Sequence, residues 1–486
     1  MRKASAYLMV FLLACMILQS SSRAEIAYGA TYNPNPPSHP VRFIFIHHST
    51  GEYWLADEPS ELGQALRDNN YFVSDTNYGW GPGGIGDHTD IGDWWSWFRG
   101  PSSPTYLSAL YAEHGQHSSY TRMDITLGGE NEIIMFKSCF PNSDLKGNLD
   151  DPIPSITSNP LRGQDSYSDY HTVANAKGIY IDLLEYFRIR QDKLFIVITA
   201  PPRNDSTYSS NARAFNEWLV YDWLRDYKSK NMFVFDFYNV LTSNGGDPNT
   251  NDLNQTTGNH HRWWHSTIQH VVNVNHNETS YWTTDEHPSV AGNLKATGEF
   301  LPLLNIAYNL WISTKTAIPL KAGWNLISLP IIPSSPSITR ILQYQIAANE
   351  VVAVWSYNAA TRTWLSFRPG SSSTLTTMTD GNGYWIYMRT NDTLYLDGSV
   401  ISPTSPPPTY SLVVGWNLVG FKSQPNATEP KLVSNYLSSI DGKYDANNVW
   451  VYDNESGNWL RVESSDMLQP GQALWILMTS PATLKP

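Results

Sequence analysis

At 486 residues the chain has room for two to four domains, and its formal charge of −12 excludes the basic footprint of a nucleic-acid binder. Only 16% of residues are charged while 19 are Trp and 28 are Tyr, a neutral, aromatic-rich composition common among secreted proteins that handle sugars. No stretch beyond the first residues is long and apolar enough to read as a membrane span.

Residues 1–24 read as an export signal. Arg2 and Lys3 supply the positive start, Tyr7 to Leu18 the apolar core, and Ser22-Arg23-Ala24 a small-x-small cleavage site. Leu12-Leu13-Ala14-Cys15 loosely resembles a lipoprotein box, which leaves lipidation of Cys15 open. Cleavage after Ala24 leaves Cys139 as the only cysteine, so no intrachain disulfide forms. The expected location is extracytoplasmic, secreted or at the cell surface, and a bacterial source fits at least as well as a eukaryotic one.

After a Pro/Asn-rich, extended lead-in at 25–40, the run Val41 to Ile46 (VRFIFI) predicts a buried strand that empties into His47-His48-Ser49-Thr50-Gly51. Such a turn either is a plain Ser/Thr/Gly turn or holds a hydroxyl at the carboxyl edge of a sheet, where open α/β sheets bind ligands. A helix from about Leu62 to Asn69 and a strand at Asn70 to Asp75 follow. A long Gly/Trp/Asp loop then spans Asn77 to Phe98, with Trp80, Trp94, Trp95 and Trp97 as sugar platforms or as cover for the sheet. Asp87, Asp90 and Asp93 recur at every third position but lack the spacing of an EF-hand loop.

Glu132 to Ser138 predicts a third strand, opening into Cys139-Phe140-Pro141-Asn142-Ser143-Asp144. Helical spacing over Ala174 to Arg190, a strand at Lys193 to Thr199, an amphipathic helix over Ala212 to Tyr227 and a strand at Met232 to Phe237 continue the alternation. That alternation predicts a parallel sheet with helices on both faces. Thr242 to Ser280 reads as a polar loop that shapes a cleft, holding His260, His261, Trp263, Trp264, His265, His270 and His276. His261 and His265 would share a helix face, but without HExxH or a nearby Cys a zinc site is weakly indicated. Thr284-Asp285-Glu286-His287-Pro288-Ser289 then leads into a closing helix, Ala291 to Leu310, and puts a candidate base behind a carboxylate.

Together these pieces resemble the SGNH (GDSL-like) serine hydrolases over about residues 41–309. The resemblance implies an α/β/α sandwich, here residues 41–312, with Ser49 as nucleophile and HHSTG standing where the family has Gly-Asp-Ser. It implies His287 as base and Asp285 as its acid, although Asp285-Glu286-His287 is one residue shorter than the family's Asp-x-x-His. The oxyanion donors would be the Ser49 and Gly86 amides, with Gly79 as the alternative glycine, and the Asn142 side chain. His48, Trp80, Trp263 and Trp264 are the candidate substrate contacts, with His47 and His48 alternatively packing under the turn. The implied chemistry is acyl transfer: the imidazole takes the Ser proton, the carboxylate orients the ring, and the donors hold the tetrahedral oxyanion. Neither metal nor cofactor is required.

From Ile318 the chain becomes Gly/Trp/Ser/Thr-rich and repeats with a period of about 90 residues. Gly323-Trp324-Asn325-Leu326 recurs as Gly415-Trp416-Asn417-Leu418, Trp355 to Trp364 as Trp450 to Trp459, and Gly383 to Met388 as Ala473 to Met478. The expectation is two all-β modules, 318–400 and 411–486, joined by a Pro-rich connector at 401–410. Their Trp residues either anchor small cores or contact a glycan or cell surface. The expected function is a secreted serine esterase that removes acyl groups, acetyl in particular, from a polysaccharide or glycoconjugate. The alternative is a non-catalytic carbohydrate-binding or adhesion protein on an inactive SGNH-like fold. Metal chemistry at the His-rich loop is a third possibility.

Overall fold

The computed structural model describes residues 33–58, 60–242, 260–264, 267–270, 277–400, 408–421 and 430–486. The expected leader, Cys15, His265, His276 and most of the Pro-rich connector lie outside these residues.

Strand β1 (Val41–Ile46) is buried at every position, as is β2 (Tyr71–Thr76). Strands buried along their whole length suit a parallel sheet covered on both faces. With β3 (Ile133–Lys137), β4 (Leu194–Ile198) and β5 (Met232–Phe235) they form one parallel sheet in the order β2-β1-β3-β4-β5. The chain reverses its direction across the sheet between β1 and β3, and ligands collect at the carboxyl ends of strands at such a switch point.

Alternate residues of β1 enter two separate cores. Val41, Phe43 and Phe45 meet α1 (Thr50–Leu55), α2 (Leu62–Asp68) and the long α8 (Val290–Ile312) through Trp54, Leu66, Phe300 and Leu304. Ile44 and Ile46 meet α3 (Asp93–Phe98), α4 (Ser103–Ala112), α5 (Val173–Ile189) and α6 (Ser209–Tyr221) through Trp94, Leu110, Leu183 and Phe215. Helices therefore cover both faces of the sheet.

Two stretches depart from the sequence expectation. The Gly/Trp loop contains α3, because Trp94, Trp97 and Phe98 fall at i, i+3 and i+4 and bury one helical face. The polar loop after the short α7 (Phe237–Leu241) contains a hairpin, β6 (His261–Trp264) with β7 (Thr267–His270), so His261 sits on a strand and not on a helix.

The C-terminal region is antiparallel and visibly duplicated. Strands at Thr363–Phe367, Val351–Asn358, Gly383–Met388 and Gly323–Ser328 pair in that order; Asn458–Arg461, Tyr444–Asp453, Ala473–Met478 and Gly415–Gly420 repeat it. The GWN signature has a local cause. Gly323 and Gly415 adopt φ of 96° and 102°, and Asn325 and Asn417 each bind both the N–H and the C=O of Lys321 and Val413 respectively. The first module docks on the amino edge of the parallel sheet. Glu132, which leads into β3, accepts from Gln343 and lies 3.4 Å from Arg340, while Lys315 pairs with Asp397 at 2.9 Å.

Candidate active site

The turn after β1 places Ser49 at φ 37°, ψ −98°, a conformation that a residue with a Cβ rarely adopts. A sharp, strained strand-to-helix turn is one way to lift a nucleophilic hydroxyl clear of a sheet edge. The turn is held from below. His47 is fully buried and its Nε2 lies 3.3 Å from Asp75 Oδ2 on β2. Burial pushes the Asp75 carboxyl up, but the bonds from His47 and the His117 N–H outweigh it and hold it below the usual carboxylate range. A Cβ on Gly51 would sit 2.4 Å from His47 Cβ, so the second residue of α1 is a glycine packed on the His47 side chain.

Residues 238 positions apart meet at this edge: the Ser49 hydroxyl hydrogen-bonds His287 Nε2. The imidazole is packed between Tyr53, at 4.9 Å between ring centres, and the edge of Phe140, at 5.7 Å. Asp285 Oδ2 stands 3.2 Å from His287 Nδ1, yet the pair is not aligned as a hydrogen bond and the carboxylate is 62% exposed. A hydrogen bond from Thr283 holds the Asp285 carboxyl below its ordinary range, and Thr283 also donates to the His287 carbonyl at 2.7 Å. The short Asp-x-His spacing is closed by Glu286, which takes φ 65° and turns its carboxylate back to Arg203 at 3.2 Å. Arg203 also pairs with Asp144 and so ties the His287 bend to the loop after β3. Ser289 then caps α8 by accepting from the Gly292 N–H.

The expected oxyanion donors are differently engaged. The Gly86 N–H donates to the Trp80 carbonyl at 2.8 Å, and its own carbonyl accepts from His48 Nε2 at 2.9 Å. The Gly79 N–H donates to Asp87 Oδ1 at 2.8 Å. Asn142 is 1% exposed; its Nδ2 donates to Asp90 Oδ1 at 2.6 Å and to the Cys139 carbonyl at 3.3 Å, and its Oδ1 accepts from Ile91. Among the described residues nothing accepts from the N–H groups of Ser49 and Thr50, which flank the hydroxyl. His48 stacks on Tyr78 at 4.3 Å, and burial, partly offset by its bond to Gly86, brings its imidazole down to about 4, so it is neutral at pH 7.

Trp80 is a core residue and not a sugar platform. It is 6% exposed, stacks on Trp97 at 5.8 Å and donates to Glu113 at 2.6 Å. Trp94 and Trp97 are fully buried, and Trp95 lies under the Arg162 guanidinium at 5.0 Å. Trp263 and Trp264 occupy β6, opposite Ile268 and Thr267. The three loop aspartates do not converge: Asp87 holds Gly79, Asp90 holds Asn142 and Ser166, and Asp93 accepts from the Asp90 N–H. Burial raises the Asp93 carboxyl to about 7.

His260 and His261 are both bound to Glu299 of α8, at 3.2 and 3.1 Å. Burial pushes the Glu299 carboxyl up, but the two imidazoles outweigh it and hold it far below the carboxylate range. Among the described residues, the group with metal-ligand spacing is His39, Glu350 and Asp392, at the sheet edge opposite Ser49.

Sequence reasoning passed over Lys137, the last residue of β3. Its ammonium is buried with no carboxylate partner among the described residues, donates to Thr50 Oγ1 and to the Ser138 carbonyl at 3.0 Å, and is brought down to about 8 by burial. A lysine inside the apolar run IIMFK was the available signal. Cys139 Sγ lies 3.6 Å from the same Thr50 hydroxyl. Comparison with known families finds no matching family model, and no curated protein matches the sequence.

Proposed function

We propose that the chain is a secreted serine esterase with an SGNH-like catalytic domain, removing acyl groups, acetyl in particular, from a polysaccharide or glycoconjugate. The observation that carries this reading is the Ser49–His287 hydrogen bond on a strained turn at the switch point of a parallel sheet. With Nδ1 protonated, His287 Nε2 accepts the Ser49 proton as Oγ attacks the acyl carbon. His287 then returns that proton to the departing sugar oxygen, and the second half runs the same steps with water. Asp285 stabilises the imidazolium across 3.2 Å, from the solvent side. The amides of Ser49 and Thr50, which have no acceptor among the described residues, are the donors left to a developing oxyanion, and one such donor is typically worth on the order of 100-fold in rate. Neither metal nor cofactor enters this scheme.

A second reading, a non-catalytic carbohydrate-binding protein on the same fold, is favoured by one observation: Gly86 and Asn142 spend their donors within the protein. The two readings separate in one experiment. Wild type, Ser49→Ala and His287→Ala are treated with a fluorophosphonate probe and assayed on an aryl acetate, with and without EDTA. Labelling at Ser49, with turnover lost in both folded variants and untouched by EDTA, supports the esterase. A folded wild type that neither labels nor turns over eliminates it.

A further inference from the structure

The two β-modules pack against each other through Leu326, Leu418 and Ala473, and their aromatic contacts are reciprocal. Trp385 of the first module meets Tyr452 and Trp459 of the second at 4.9 and 5.6 Å between ring centres. Trp475, the repeat equivalent of Trp385, meets Tyr357 and Trp364 of the first at 5.3 and 5.9 Å. The GWN indoles complete the pattern, Trp324 on Trp385 at 6.0 Å and Trp416 on Trp475 at 6.2 Å. The pair is therefore pseudo-twofold, and each half lends rings to the other.

Two open clefts result. One, of about 640 Å³, is lined by Trp324, Trp355 and Trp385 of the first module with Tyr452 and Trp459 of the second. The other, of about 500 Å³, is lined by Trp416, Trp450, Trp459 and Trp475. Both volumes fall in the range of ligand clefts, roughly 300–1,000 Å³.

Core anchoring accounts for the inner faces of these rings but not for their exposure. Trp324, Trp364, Trp416 and Trp459 are 40–47% exposed. All four are retained between the copies, whereas other positions diverge: Ser366 against Arg461 on the strands of Trp364 and Trp459, Tyr387 against Leu477 on the neighbouring strands, and Arg368 against Glu463 just beyond them. Duplicated modules free to drift would lose a half-exposed indole first, since exposure of apolar area is unfavourable and a smaller side chain costs little there.

We propose that the paired clefts, the larger of them built from both modules, are a bivalent site for an uncharged polysaccharide. The lining defines the ligand: flat ring faces accept the C–H faces of pyranoses, and the two clefts offer a single cation, Arg368, beside the Tyr hydroxyls, too little positive charge to balance a polyanion. Two neighbouring aromatic clefts, which share Trp459, select a ligand that itself repeats, since the second contact is then intramolecular. This inference stands apart from the esterase reading.

The test is affinity gel electrophoresis of the full chain in gels containing arabinoxylan, glucomannan, mixed-linkage β-glucan or galactan, with dextran sulfate and polyproline as comparisons. Retardation by at least one neutral polysaccharide is expected, with Trp324→Ala and Trp416→Ala each weakening it on the order of tenfold. The double variant should lose about 100-fold or more, as bivalency disappears. Far-UV circular dichroism and aryl-acetate turnover should stay at wild-type levels in all three, which keeps this outcome independent of the catalytic domain. No retardation by any of the four, retardation only by dextran sulfate or polyproline, or retardation indifferent to the double substitution overturns the proposal.

Discussion

Ser49→Gly and Ser49→Ala both delete the proposed nucleophile, but they should differ in stability. At φ 37° and ψ −98° a residue with a Cβ is held in a sparsely populated region, which typically costs about 1–3 kcal/mol. Glycine relieves that strain and gives back roughly 0.5–1 kcal/mol through the greater freedom of its unfolded chain. The net advantage of glycine over alanine is therefore about 0.5–2 kcal/mol. In a domain of this size each kcal/mol moves the midpoint by roughly 2–4 °C, so Ser49→Gly should melt ~1–8 °C above Ser49→Ala. Scanning calorimetry of the catalytic-domain transition, with near-UV circular dichroism to assign it, reads the difference directly. If Ser49→Ala melts at or above Ser49→Gly, the strained turn is not a feature of the folded protein and the reasoning about the nucleophile's presentation fails with it.

Asp285→Asn should lower aryl-acetate turnover by about 10–100-fold, less than His287→Ala, because the carboxylate is 62% exposed and misaligned with Nδ1; a loss as large as that of His287→Ala would contradict this. Trp80→Ala should destabilise the catalytic domain by ~3–5 kcal/mol in denaturant unfolding, since it empties core volume. A variant of unchanged stability but raised KM would return Trp80 to the role of sugar platform. Lys137→Met tests a buried ammonium whose folded value, about 8, lies below the ordinary 10.5. A depressed value means that the stabilising contribution is present above 10.5 and is lost as pH falls through about 8. Denaturation midpoints of wild type should therefore gain on Lys137→Met between pH 7.5 and 10.5, by about 3 kcal/mol at most, and a pH-independent gap would refute the assignment.

The parallel strands were legible in the sequence because burial on both faces leaves no alternation to misread: β4 is an unbroken apolar run and β1 is interrupted only by Arg42. Ser49 and His287 were legible as motifs, and the structure brings them into contact across 238 positions. What sequence reasoning missed depends on competition among partners. Nothing in Pro141-Asn142-Ser143 says that the amide will choose Asp90, and nothing in Gly86 says that Trp80 will take its N–H. Helix α3 was hidden because glycines on either side mask the spacing of Trp94, Trp97 and Phe98. The Trp residues of the repeats were readable as a pattern, but which module each ring would serve depends on docking that no local signal encodes.

The attachment of the first module to the amino edge of the sheet, through Glu132, Arg340 and Gln343, sets the working geometry of the whole molecule. Ser49 stands at the other edge, separated by the length of β1, about 20 Å of extended chain. On the two proposals above, a polymer gripped by the modules would be held away from Ser49, so the gripped sugar unit would not be the one deacylated. The molecule would then act as a tether with a reach, moored at one point of a matrix and clearing neighbouring strands around each mooring rather than stripping one strand.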